Sequence, residues 1–205
     1  MDKHQRLVAE AGPQGGYFTA RDALATGYSY RDQHYHTSRG HWLRVAHGVY
    51  RLRDWPLPAR PDLIVLALLS RTATGVPQAV VSHESALAVH DLSDANPARI
   101  HLTVPPGFRK RLPPGVVLHR ARLTAADWEE HEGYRVTTPY RTLLDLATTA
   151  TGDLYLPAAV RDVLQRGLVT LAQLRAAATA ESGRPRLQAA LRAAENPVAA
   201  TRRIA

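Results

Sequence analysis

The stretch FTARDALATGYSYRDQHYHTSRGHWLRVAHGVYRL, Phe18 to Leu52, decides the fold, because its period changes from helical to alternating and its punctuation falls where two helices and a hairpin need it. Thr19 stands where an N-cap belongs, with Asp22 at the third helical position to return a bond to the cap's own N–H. Phe18 and Ala23 have the spacing of a hydrophobic staple across that start. This helix runs from Ala20 to about Ala25, and Gly27 ends it. Ser29 caps a second helix to about Arg39, Asp32 repeats the third-position carboxylate, and Gly40 supplies the left-handed residue that closes it. From Trp42 the period is two. Leu43, Val45, Tyr50 and Leu52 can face a core while Arg44, Arg51 and Arg53 face outward, across a turn at Ala46-His47-Gly48. Helix, turn, helix and hairpin in that order form the pattern of a winged helix-turn-helix. That pattern couples a major-groove reader to a phosphate-contacting wing and so points to duplex DNA.

The charge supports this direction. Between Tyr28 and Arg53 five cations (Arg31, Arg39, Arg44, Arg51, Arg53) oppose one anion, Asp32, in a chain whose formal net charge is +8. Charge focused on one element is what phosphate binding asks for; a merely solvated basic face is the competing reading. On the second helix Arg31, His34, Tyr35 and Ser38 share one arc, with Tyr30 and Arg39 at its edges. The opposite face would then hold Gln33, His36 and Thr37, a polar set for a side packed on a core. A second register turns Tyr35 inward and moves Asp32, His36 and Arg39 outward, so Arg31 and Arg39 depend least on the choice. Arg31 suits base reading, since a guanidinium can donate two bonds to guanine. Arg44 and Arg51 suit phosphates on the wing, and His47 sits at its tip.

Upstream, residues 3–11 carry Leu7, Val8 and Ala11 on one helical stripe and stop at Gly12-Pro13. Downstream, prolines at 56, 58 and 61 interrupt both helix and strand, which places the expected domain junction between Asp54 and Pro61. The expected organisation is a DNA-binding domain over residues 1–57, a mixed α/β domain over 58–197 and a frayed tail over 198–205, α+β overall. In the second part, helices are expected over 62–72, 83–90 (capped by Ser82), from Pro139 through Ala147, 157–166, from 171 to about 178 (capped by Thr170) and 186–194. Strands are expected over 99–104, 116–120 and 134–136.

Several function classes drop out. The 205 residues include no cysteine, which removes disulfides, thiol nucleophiles and cysteine-ligated zinc and suits a reducing compartment, so cytoplasm is the expected location. The start has no apolar signal core, and the longest apolar run, Leu63 to Leu69, is far short of the ~20 residues that span a bilayer. His34, His36 and His41 lack an acidic or cysteine partner at ligand spacing, so neither metal nor cofactor is expected. Ser82-His83-Glu84 are adjacent and cannot form a triad; Ser82 reads as the helix cap. His101 and His119 read as structural strand residues, and Asp145 as a local pair.

These segments together (GYFTARDALATGYSYRDQHYHTSRGHWLRVAHGVYRL, VVSHESALAVHDL, RIHLTVPPGFRKR, GVVLHRARL and YRVTTPYRTLLDLA) resemble the AbiEi family of type IV antitoxins over most of residues 5–178. The resemblance implies an N-terminal winged helix that represses its own operon at inverted repeats, with Ser29 to Arg39 as reading helix and Leu43 to Leu52 as wing. It also implies a C-terminal domain opposing a nucleotidyltransferase-like toxin. Gln33 and Thr37 depart from the aliphatic residues more usual in related sequences, and the nuclease-like extension of many longer relatives is not expected here, which argues against catalysis. Arg109-Lys110-Arg111, on a proline-bounded loop, form a second basic candidate for DNA or an acidic toxin face. The expected state is a monomer that pairs on DNA. A stand-alone winged-helix regulator with a ligand-sensing second domain is the alternative, and a nucleic-acid enzyme a more distant one.

Overall fold

The computed structural model describes residues 1–179 and 185–195, in two compact units. The first comprises residues 1–79, 107–112 and 130–135; the described part of the second comprises 80–106, 113–129, 136–179 and 185–195. The C-terminal helix end at Asn196-Pro197 and the tail over 198–205 lie outside the described residues.

In the first unit, α1 (Lys3–Ala11) begins at Asp2, whose carboxylate accepts from the Gln5 N–H while the Gln5 side chain bonds back to the cap. β1 (Tyr17–Thr19) leads into α2 (Ala20–Ala25) and α3 (Tyr30–Ser38), each opened by a full capping box, Thr19/Asp22 and Ser29/Asp32. Reciprocal caps matter for helices this short, because each satisfies two of the N–H groups that would otherwise lack partners. β2 (Trp42–Ala46) and β3 (Val49–Leu52) form the hairpin, and β1 adds to the free edge of β3, giving a three-stranded antiparallel sheet in the order β1-β3-β2. Leu7, Ala11, Phe18, Ala23, Tyr28, Trp42 and Leu52 form the core. The rings of Phe18 and Tyr28 meet the Trp42 indole edge-on at 4.8 and 4.9 Å. α4 (Pro61–Ser70), apolar along nearly its whole length, belongs to this unit and packs on β1 and β3.

That packing moves the boundary. The expected junction was the proline segment 54–61, yet the first unit extends to Ala79. The prolines do end the sheet, but α4 beyond them can bury its apolar surface only against another element.

A five-stranded sheet, in the second unit except for Glu130–His131 and Tyr134–Arg135, has the order β6-β5-β4-β8-β7, with β4 (Val80–Val81), β5 (Ile100–Val104), β6 (Val116–Arg120), β7 (Trp128–His131) and β8 (Tyr134–Thr137). β4 is antiparallel to β5 and parallel to β8, while β5 and β6 run parallel. Five helices complete the described part: α5 (His83–His90), α6 (Pro139–Leu146), α7 (Gly152–Gln165), α8 (Leu171–Thr179) and α9 (Pro185–Glu195). Their apolar faces meet in one cluster that includes Leu87, Leu143, Leu156, Val163, Leu174 and Leu187.

Thr103 is buried along with its apolar neighbours on the interior strand β5. Two local expectations change and a third holds. α7 starts at Gly152, before Pro157, which is tolerated inside it. Ser82 holds the N-cap position of α5 without capping; its hydroxyl instead bonds the His83 ring at 2.9 Å. Asp145 pairs locally, as expected, with Arg141 at 2.9 Å.

Candidate nucleic-acid interface

α3 answers the register question. Gln33 is buried and its side-chain amide donates to the Ala20 carbonyl at 3.1 Å, tying α3 to α2. Thr37 turns its hydroxyl back onto the Gln33 carbonyl at 2.7 Å. His36 packs inward, stacked on Trp42 and edge-on to Tyr28. The polar inner face is therefore satisfied by hydrogen bonds and ring stacking rather than by aliphatic packing. Tyr35 consequently faces outward. Tyr30, Arg31, His34, Tyr35, Ser38 and Arg39 are all exposed on the outer side of the helix, Tyr30 at 71% and Tyr35 at 51%. The Arg39 guanidinium stands 5.7 Å from the centre of the Tyr35 ring, near enough for a cation–π contact.

At the start of α3 the Ser29 backbone N–H and hydroxyl hold the Asp32 carboxyl below the usual carboxylate range. The anion suits the positive end of the helix dipole, and Lys3 offsets it at 3.4 Å. At the other end Gly40 has φ 71°, and the Arg53 Nε–H donates to its carbonyl. A Cβ on Gly40 would meet the movable end of that guanidinium, and it is the left-handed φ at this turn that favours glycine. Burial, then the neighbouring His41 ring, lowers the pKa of His36.

The hairpin corrects the expected alternation. The β2–β3 register shifts between Arg44 and Ala46, so Val45 sits in a bulge and is 41% exposed instead of facing the core. Trp42, Val49 and Leu52 are the buried residues, and Tyr50 is half-buried. Arg44 pairs with Tyr50, whereas Arg51 pairs with Leu43 and Tyr17. Strand residues alternate between faces, so Arg44 and Arg51 lie on opposite faces of the sheet. Arg44 is exposed and donates to the His47 ring at 3.3 Å at the wing tip, while the half-buried Arg51 donates to the Trp55 carbonyl at 2.9 Å. Arg44 and α3 border one cleft of about 160 Å³, lined by Tyr30, Gln33, His34, Thr37, Arg44 and Tyr50. Of these, Gln33, Thr37 and Tyr50 were not among the expected contacts; a tyrosine opposite an arginine on a wing strand was the available signal for Tyr50.

In the second basic group, Arg109 and Arg111 are exposed, but Lys110 reaches the Leu69 carbonyl at 3.3 Å and also the Arg71 carbonyl, completing the C-terminus of α4.

A short helix pair with an outward cationic face, set against a three-stranded sheet whose hairpin carries Arg44 beside its tip, defines a winged helix-turn-helix. Family models extend this to most of the chain: residues 5–53 match "Transcriptional regulator, AbiEi antitoxin" and residues 78–195 match "AbiEi antitoxin C-terminal domain". The chain belongs to the AbiEi antitoxin family. Among solved structures, that of the RV2827C protein from Mycobacterium tuberculosis aligns at 17% identity with a TM-score of 0.41, covering 93% of this chain and 80% of that one. No curated protein matches. Among the described residues no helix is long and apolar enough to cross a membrane.

Proposed function

We propose that this antitoxin binds duplex DNA through α3 and the β2–β3 wing, represses its own promoter at an inverted repeat, and counteracts a nucleotidyltransferase-like toxin through the remainder of the chain. The observation that carries the first part is the grouping of Arg31, His34, Tyr35 and Ser38 on one exposed helix face, with Arg44 beside it across a shared cleft. Arg31 reads bases, Arg39 and Arg44 meet phosphates, and His47 orients Arg44 at the tip. In this reading Arg51 makes no DNA contact, since it lies on the opposite sheet face from Arg44. Two monomers on neighbouring half-sites account for a palindromic operator without a dimer helix.

A reporter driven by the chain's own promoter tests repression. The full chain lowers expression, and Arg31→Ala together with Arg44→Ala restores it. Co-expression with a nucleotidyltransferase-like toxin tests antitoxicity, and there the double variant still protects. A cut at residue 58 is a poor substitute for these point variants, since it separates α4 from the strands it packs on. Repression without any protection would favour the stand-alone regulator.

A further inference from the structure

Behind the exposed face of α3, residues of α1, of the last turn of α3 and of the outer ends of β2 and β3 enclose a cavity of about 390 Å³ in the first unit. That volume lies within the range of small-ligand sites. None of its lining residues belongs to the cleft that Arg44 shares with α3. Much of its surface is apolar: Trp42 and Leu52, both buried, and Val8 and Trp55, both half-buried. The Trp55 indole lies against Gly12 and Gly16, and a Cβ on Gly16 would overlap it. Its carbonyl is held by the Arg51 guanidinium at 2.9 Å. Trp42 is fixed in turn by Phe18, Tyr28 and His36. Both indoles are therefore in place before a ligand arrives, which lowers the ordering cost of binding.

The polar groups around this surface are unbalanced. His4, His36, His41 and Arg53 bring N–H donors to the cavity, against the single carboxylate of Asp54. The Nδ1 atoms of His36 and His41 are 3.2 Å apart, so one proton serves both and the two rings act as a pair. Arg53 uses its Nε–H on the Gly40 carbonyl, and its terminal nitrogens carry further donors. A ligand that matches this lining must offer more acceptors than donors. A carboxylate does so in the smallest space, and its bonds to cationic donors are the strong ones. Flat indole surfaces suit a planar aromatic body.

We propose that this cavity binds a small planar aromatic carboxylate. The ring of the ligand packs against Trp55 and Val8, and its carboxylate meets Arg53 and the His36–His41 pair. His36 stands on the last turn of α3 and His41 just beyond it, so the bound ligand bridges the end of α3 to α1 and to the residues that follow β3. Asp54, the one anion in the lining, works against the ligand's charge and sets a sign for the test.

The test is calorimetric titration of the full chain, without DNA, using 2-naphthoate and its uncharged counterpart of the same shape, 2-naphthamide. The expected result is one equivalent of 2-naphthoate bound, with 2-naphthamide about tenfold weaker. Asp54→Asn should tighten 2-naphthoate by about twofold or more and leave 2-naphthamide unchanged. Val8→Phe, which puts a ring into the cavity, should abolish binding of both while far-ultraviolet circular dichroism stays that of the parent. No saturable uptake of 2-naphthoate overturns the site, as does equal affinity for the two probes or parental affinity in Val8→Phe. If Val8→Phe does not fold, Asp54→Asn decides, and unchanged 2-naphthoate affinity in that variant overturns the site.

Discussion

The imidazole of His36 lies flat on the indole of Trp42, with ring centroids 4.8 Å apart and planes 15° from parallel. Through this contact the inner face of α3 is registered against the first strand of the wing. Trp42 also receives the edges of Phe18 and Tyr28, so one buried indole joins β1, α3 and the residue before α3's cap. Trp42→Ala should therefore destabilise the first unit by about 3–5 kcal/mol, the range for a buried large aromatic, as measured by denaturant unfolding.

The same pair makes a pH prediction. The pKa of His36 is lowered by burial and then by His41, so the unfolded chain binds its proton more readily than the folded one. Stability from this group is fully present above its unfolded pKa of about 6.5 and is lost as pH falls from there through the folded value. His36→Phe keeps a stacked ring without a titrating nitrogen. Between pH 7 and 5 the unfolding midpoint of this variant should fall less than that of the parent; equal falls would show that His36 contributes nothing.

Arg44 and Arg51 should separate cleanly. Arg44→Ala should weaken binding to every duplex and make the salt slope shallower by about one unit. Arg51→Ala should leave that slope unchanged and instead cost about 1 kcal/mol of stability through its lost bond to the Trp55 carbonyl. Binding isotherms at several salt concentrations, with thermal melts, check both.

Gly40→Ala should destabilise the first unit by about 1 kcal/mol or more, because φ is 71° and Arg53 fills the space beside it. Since that contact joins the end of α3 to β3, DNA affinity should fall even at temperatures where the variant remains folded. Anisotropy titration with an operator duplex measures this.

Much of the winged helix was legible because its signals are local. Thr19 with Asp22, Ser29 with Asp32, and Gly40 each act within a few residues of themselves, and all three behave as their spacing implies. The features that escaped depend on partners distant in sequence. β1 is three residues long and exists because β3 has an edge to pair with. The inward turn of His36 and the burial of Gln33 belong to the first of the two registers read from the sequence, and what selects that register is distant in sequence: Trp42 and Tyr28 for His36, the Ala20 carbonyl for Gln33. Alternation misplaced Val45 because a bulge adds one residue to β2, and it grouped Arg51 with Arg44 because it could not supply the register. The attachment of α4 to the first unit was hidden by prolines that mark a turn as readily as a boundary. Ser82 was read as a cap and His101 and His119 as structural strand residues; the pairing of β5 with β6 and the packing of α5 against β5 bring the two histidines beside His83 and Glu84.

The central claim is that α3 and the wing form one surface that reads a duplex. The most direct measurement is binding of the parent and Arg31→Ala to the promoter inverted repeat and to a scrambled duplex, each across a salt series. The parent should prefer the repeat, with a log–log salt slope of about −2 or steeper, and Arg31→Ala should lose about 1–3 kcal/mol on the repeat and little on the scrambled duplex. Salt-independent binding, or equal losses on both duplexes, would contradict the account.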